Sequence, residues 1–173
     1  MSNDVRIIPT VELSICWGEL KNMILQFSAG NKGLPLFDLA LVSSKTAKEI
    51  DDLECIDLSF GYFFRSKAIV TLSLSVIEKD DVDDDRDFVE DCGFNLSRKQ
   101  QEELSHDWRK APYTILVSSG ANRSSAEVEV MPYICAGIAK AHHGKVAILE
   151  RDSFDVGKGI FSPEEFSKAI CIA

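Results

Sequence analysis

The clearest hydrophobic pattern lies between Lys110 and Glu150. Tyr113–Val117 is a short apolar run after Pro112, and Val146–Leu149 is a second, uninterrupted one. Both runs are typical of strands, and an unbroken apolar run indicates burial on both faces. One face of a helix is indicated between them by the spacing of Met131, Ile134, Cys135, Ile138, Ala139 and His142. A helix that joins two buried strands predicts a packed sheet core.

The segment before this helix fits two structures. Apolar residues alternate with glutamates over positions 126–130, which is the period of a strand, and Pro132 suits the first position of a helix. We therefore predict a hairpin of Tyr113–Ser118 with Ser125–Val130, followed by a helix from near Pro132. The alternative is one long helix from Arg123 with a kink at the proline.

Shorter patterns predict the remaining elements. Alternation predicts strands, and apolar residues three and four apart predict helices. Serine or threonine followed three residues later by an acid or amide predicts a helix start, and glycine after a helix favours the left-handed conformation. The predicted strands are 11–17, 34–42, 55–64 and 68–77, the last two as a hairpin. One predicted helix covers 20–27, and a short one is capped by Thr46 and Glu49. Two further helices are predicted to begin at Ser97 and Ser162. Gly144 is predicted to be left-handed at the end of the central helix.

These elements predict a single α+β domain over residues 1–173, with a mainly antiparallel or mixed β-sheet covered by amphipathic helices. The chain length suits one domain, and a hydrophobic fraction of 45% favours a folded chain. No apolar run approaches the roughly 20 residues of a membrane span, and no secretory signal is evident. The five cysteines are odd in number and widely spaced. We therefore expect a cytoplasmic protein with reduced, buried thiols.

The net charge of −9 is concentrated in one segment, residues 78–91. This segment carries nine acidic and two basic side chains, an excess of seven negative charges. We predict an exposed acidic loop, because so many like charges repel one another. Such a loop either is simply solvated or attracts a basic protein, and it repels nucleic-acid phosphates.

From this charge we predict a protein-binding or inhibitory module that engages a basic partner, such as a toxin or an enzyme. Small acidic bacterial antitoxins and immunity proteins are similar in charge and size, and the likeness extends no further. Neither nucleic acid nor a membrane is expected as a partner. The residues predicted to bind the partner are Asp80, Asp81, Asp83, Asp84, Asp85, Asp87, Glu90 and Asp91.

The polar turn after the first apolar run supports an alternative function, a small-ligand-binding domain or an enzyme. The stretch Val117–Ser124 resembles the loop of cysteine phosphatases, Cys-x-x-Gly-x-x-Arg-Ser/Thr, but Val117 stands where the nucleophilic cysteine belongs. The resemblance therefore implies only an anion site, and only if a helix starts near Arg123. The residues of this alternative site are Ser118, Ser119, Gly120 and Arg123, with the nearby histidines.

We predict no metal site and no cofactor. Cys135 and His142 share a helix face but lie about 10 Å apart by helical rise, too far for a thiolate–imidazole pair. His142 and His143 point in different directions, so a metal would need ligands from elsewhere, such as His106. The expected role of His142 and His143 is to end the central helix by hydrogen bonding to its last carbonyl groups.

Overall fold

The computed structural model describes residues 3–11, 14–29, 36, 38–67, 72–78, 96–120, 124–149, 154 and 156–172. This part of the chain contains seven strands and four helices. The strands are β1 (Asn3–Ile8), β2 (Ala40–Ser43), β3 (Tyr62–Arg65), β4 (Ser73–Glu78), β5 (Tyr113–Ser119), β6 (Lys145–Ile148) and β7 (Gly159–Phe161). The helices are α1 (Trp17–Ser28), α2 (Arg98–Lys110), α3 (Ser125–Ala141) and α4 (Pro163–Ile172).

All seven strands belong to one sheet, in the order β2-β3-β4-β5-β1-β6-β7, and every neighbouring pair is antiparallel. Strand β1 lies near the middle and pairs with β5 on one side and β6 on the other. Because both are antiparallel to β1, β5 and β6 run in the same direction, and α3 connects them across the sheet. The predicted α+β fold with a mainly antiparallel sheet is therefore confirmed.

The helices lie on both faces of the sheet. Side chains of α1, α3 and α4 form the larger core with one face, which includes Ile7, Val117 and Val146. A smaller cluster on the other face joins Leu104 of α2 to Ala147 of β6. Lys145 of β6 also forms ion pairs with Glu103 and Asp107 of α2. None of the described helices is long and apolar enough to cross a membrane.

Helix α3 corrects the predicted hairpin of Tyr113–Ser118 with Ser125–Val130. Residues 125–130 are the first turns of α3, which continues through Pro132 to Ala141. The start is fixed by a capping box, in which the Ser124 hydroxyl accepts from the backbone of Glu127 and the Glu127 carboxylate accepts from that of Ser124. This Ser-x-x-Glu signal is present in the sequence and outweighs the alternation of the residues that follow.

The end of α3 differs from the prediction in one residue. His143 takes the left-handed conformation, with φ 49°, whereas Gly144 does not. The Thr10 hydroxyl donates to the His143 carbonyl at 2.8 Å, which ties the end of the helix to the segment after β1. Glycine is needed at 144 for space, because a Cβ there would overlap the backbone of Ile8.

The other predictions are confirmed in part. The capping boxes at Ser97 and Ser162 are present, as is the helix predicted over 20–27. The predicted strand over 11–17 is wrong for its described part, because residues 14 and 15 lie in no strand and Trp17 already begins α1, whereas β1 ends at Ile8. The short helix at Thr46 is also wrong, since Ala47 is left-handed and the chain turns back to pair with β2. The hairpin of 55–64 with 68–77 is present as the shorter pair β3–β4.

Candidate functional site

The acidic segment chosen from the sequence lies almost wholly outside the described residues. Strand β4 ends at Glu78, and the described chain resumes at Leu96. The predicted partner-binding residues all lie in between, and their role stays a prediction. They are Asp80, Asp81, Asp83, Asp84, Asp85, Asp87, Glu90 and Asp91.

The polar turn of the alternative site lies between β5 and α3. Ser118 and Ser119 are the last residues of β5, and the Ser119 side chain is buried. The Ser73 hydroxyl on the neighbouring strand donates to the Ser118 carbonyl at 3.4 Å. Gly120 follows directly, and Arg123 lies outside the described residues. These serines therefore belong to the sheet as much as to the turn.

A carboxylate already occupies the start of α3. Glu127 is buried, and its Oε2 accepts a hydrogen bond from the Ser124 backbone N–H at 2.7 Å. The Ser124 hydroxyl in turn accepts from the Glu127 backbone N–H at 3.2 Å. A helix N-terminus binds anions through such free N–H groups and its partial positive charge. A phosphate here would meet a buried negative charge, which disfavours the anion site implied by the turn.

The structure does not bring the histidines to this turn. His142 and His143 follow the end of α3, and a helix of 17 residues separates its two ends by about 25 Å. His106 lies on α2, on the opposite face of the sheet. His142 is buried, and this burial lowers its pKa to about 4, with a smaller contribution from His143. Its Nδ1 has no hydrogen-bond partner among the described residues.

An acidic surface that the sequence reasoning missed lies in the loop between β2 and β3. We call residues 51–57 the Leu53 loop. The Leu53 side chain is 85% exposed, the largest exposure among the large hydrophobic residues described. Asp51, Asp52, Glu54 and Asp57 are all exposed around it, and no basic residue interrupts them. The sequence Asp-Asp-Leu-Glu carries this signal, but its charge is small beside that of residues 78–91.

Backbone hydrogen bonds hold the Leu53 loop against the start of α1. The N–H of Trp17 donates to the Glu54 carbonyl at 3.0 Å, and that of Gly18 donates to the Asp52 carbonyl at 2.9 Å. Within the loop, a carboxylate oxygen of Asp51 accepts from the backbone N–H two residues later at 3.1 Å. The loop is therefore ordered before any partner arrives, which lowers the entropy cost of binding.

Two cysteines lie side by side where this loop meets α1. The Sγ atoms of Cys16 and Cys55 are 3.4 Å apart, and both thiols are free. Cys16 is half-buried and Cys55 is exposed, which corrects the prediction that the thiols are buried. Of the three cysteines whose side chains are described, Cys135 fits that prediction, and complete burial in α3 raises its pKa. The hydrogen bond to Cys55 raises the pKa of the Cys16 thiol.

The fold and this surface define an α+β protein with one seven-stranded antiparallel sheet and an ordered acidic loop that carries an exposed leucine. Comparisons of the chain with protein-family models, curated proteins and solved structures find no match.

Proposed function

We propose that this protein is a protein-binding or inhibitory module that engages a basic surface of a partner protein. The observation that carries the proposal is the Leu53 loop. It presents one exposed apolar side chain flanked in the sequence by exposed carboxylates, on a backbone that is already fixed by hydrogen bonds to α1.

The two kinds of side chain in this loop serve different steps of binding. Exposed carboxylates such as Asp52 and Glu54 attract a basic surface over several ångströms and speed association. Leu53 supplies affinity once contact is made, since burying a leucine side chain contributes roughly 1.5–3 kcal/mol. A partner that fits this loop has a small apolar pocket rimmed by lysine or arginine.

The acidic segment 78–91 is the second part of the proposed interface. Its excess of seven negative charges acts in the same direction as the Leu53 loop. A module of the immunity or antitoxin kind, held in the cytoplasm with a basic toxin or enzyme as its partner, fits this charge. The alternative function at Ser118, Ser119, Gly120 and Arg123 has less support, because the Glu127 carboxylate occupies the adjacent helix start.

A partner can be sought by affinity capture from the native source at low salt, and binding can then be measured with the purified partner. Three variants test the surface: Leu53→Ala, Asp52→Asn, and the combined replacement of Asp83, Asp84, Asp85 and Asp87 by asparagine. We expect Leu53→Ala to speed dissociation, and the charge variants to slow association and flatten its salt dependence.

A matched control is Phe63→Ala, which removes another exposed hydrophobic side chain, 46% accessible, from a different part of the surface. It should leave both rates unchanged. All the variants should keep the wild-type melting temperature within a few degrees, because Leu53, Asp52 and Phe63 are exposed and the asparagine replacements relieve repulsion among like charges. Rates that are equal for wild type, Leu53→Ala and the charge variants would contradict the proposal.

A further inference from the structure

The Cys16–Cys55 contact has the geometry from which a disulfide forms without rearrangement of the backbone. The two residues face each other as an isolated antiparallel bridge. Their neighbours carry the hydrogen bonds, Trp17 N–H to the Glu54 carbonyl and Ile56 N–H to the Ile15 carbonyl. This makes Cys16 and Cys55 a non-hydrogen-bonded pair, in which side chains approach most closely.

The backbone spacing of such a pair suits a covalent bond. Directly opposed residues of this type have Cα atoms about 4.5 Å apart, inside the range of roughly 4.4–6.8 Å found for disulfides. The sulfur atoms, now 3.4 Å apart, need only a small side-chain rotation to reach the bonding distance of about 2.05 Å.

From this geometry we infer that Cys16 and Cys55 form a site of reversible thiol oxidation, which hydrogen peroxide converts to an intramolecular disulfide. This inference is independent of the proposed partner-binding function. Zinc would need about four ligands, and the described residues contain no group of three or more histidine, cysteine, aspartate or glutamate side chains that could hold a metal ion.

The reaction begins at Cys55, because its thiol is exposed and reaches the solvent directly. Its thiolate attacks one oxygen of the peroxide, the O–O bond breaks, and one water leaves after proton uptake while Cys55 becomes a sulfenic acid. Cys16 then attacks the Cys55 sulfur, the S–O bond breaks, and a second water leaves. The two thiols lose two electrons and two protons in total, and the peroxide is reduced to two waters.

Cys16 is suited to the second step rather than the first. Its thiol is half-buried, and the hydrogen bond to Cys55 raises its pKa, so that it holds its proton while Cys55 is still reduced. Oxidation converts the Cys55 thiol, the hydrogen-bond partner of Cys16, to a sulfenic acid. The sulfur of this sulfenic acid is already within contact distance of the Cys16 thiol. The two cysteines therefore have unequal roles, which an experiment can distinguish.

The direct test is treatment of the full-length reduced chain with hydrogen peroxide, followed by alkylation and tryptic digestion without reductant. Cleavage after Lys and Arg places Cys16 in the peptide 7–21 and Cys55 in the peptide 49–65. We expect these two peptides to appear joined, with the loss of two hydrogen atoms, and to separate again after dithiothreitol. The bond should also raise the melting temperature by roughly 5 °C or more.

Three single variants separate the roles of the thiols. In Cys16→Ser the sulfenic acid on Cys55 should persist and be trapped by dimedone. In Cys55→Ser the remaining thiol should react several-fold more slowly. Cys135→Ala is the matched control, because the replaced thiol is buried in α3, and the variant should still form the disulfide at the wild-type rate.

Two results would overturn the inference, and neither requires a variant to fold. One is that peptides 7–21 and 49–65 keep their thiols while glutathione in the same solution is oxidised. The other is that they are joined only in covalent dimers or to a cysteine other than the proposed one.

Discussion

Helices α3 and α2 have similar lengths, but they lie in different surroundings. Every residue of α3 from 130 to 139 is buried, because α1, α4 and the sheet enclose the helix. In α2, only Leu104 and Trp108 are buried, and the rest of the helix is exposed or half-exposed. Helix α3 is part of the core, whereas α2 covers one side of the opposite sheet face.

The two helices also differ in how readily their first turns can be predicted. An amphipathic helix such as α2 shows its period in the sequence, since one face is apolar and the other is polar. The enclosed part of α3 shows that period as well, from Met131 to Ala139. The error concerned the first turns of α3, residues 125–130, where apolar residues alternate with glutamates and imitate a strand.

The largest loss of stability is expected from a charged side chain placed in α3. Ile138→Asp would bury a carboxylate without a partner between the helix and the sheet, and the domain should unfold or aggregate. The matched change on α2 is Lys99→Asp at an exposed position, which should leave the melting temperature nearly unchanged. Circular dichroism melting of both variants makes the comparison, and a soluble Ile138→Asp protein with the wild-type curve would show that this face of α3 is not core.

The next effect is a loss of stability in mild acid that arises at the end of α3. The buried His142 has a pKa of about 4, against 6.5 for the unperturbed group, mainly because burial disfavours its charged form. Below pH 6.5 the unfolded chain binds this proton first, so stability falls from pH 6.5 to about 4 and is fully present above 6.5. The total change approaches about 3 kcal/mol, at about 1.4 kcal/mol per pKa unit.

Denaturant unfolding between pH 4 and 7.5, for wild type and His142→Leu, isolates this contribution. The carboxylates titrate equally in both proteins, so the difference between the two free energies of unfolding reports the histidine. We expect that difference to change across the window and to level off above pH 6.5. Parallel curves would show that the proton on His142 does not affect folding.

A smaller loss is expected where α3 crosses α1. A Cβ at Gly137 would lie 2.5 Å from the Ile24 Cγ1 atom and 2.8 Å from its Cα. Alanine normally stabilises a helix relative to glycine by up to about 1 kcal/mol. We expect Gly137→Ala to reverse that sign and cost roughly 1–3 kcal/mol through overpacking. In chemical denaturation, Ser105→Ala on α2 serves as the control, and a stabilised Gly137→Ala variant would mean that the helices can move apart.

The smallest losses of stability are expected from removing either of two capping boxes, one on α2 and one on α3. Ser97→Ala removes an exposed cap on α2 and should cost about 0.5–1 kcal/mol. Ser124→Ala removes the cap beside the buried Glu127 carboxylate and should cost more, about 1–2 kcal/mol. Equal losses in urea unfolding would indicate that burial of the glutamate does not strengthen its capping box.

Local signals in the sequence predicted those parts of the fold that depend on nearby residues. The capping boxes at Ser97 and Ser162 located two helix starts, since both partners lie within one turn. The box at Ser124 carried equal information and was missed, because alternation after it favoured a strand. Strand β1 was missed as well, since its sequence pattern is short and the strand is stabilised by pairing with β5 and β6, more than a hundred residues away.

The candidate site was less predictable than the fold. Charge counting identified the segment 78–91, but it cannot show that Leu53 is exposed or that its loop is held by α1. Nor could spacing show that Cys16 and Cys55 meet, because their contact depends on how the chain returns from β2 to β3. Contacts of this kind follow from tertiary structure, and no local pattern encodes them.

The central position of β1 has a consequence for how the protein is made. The ribosome releases this strand before both of its neighbours in the sheet, Tyr113–Ser119 and Lys145–Ile148. Both edges of β1 are unpaired until Tyr113–Ser119 has been synthesised, and one edge stays unpaired until Lys145–Ile148 follows. We therefore expect nascent chains that stop before residue 145 to depend on chaperones, and to be the species most prone to aggregate during expression.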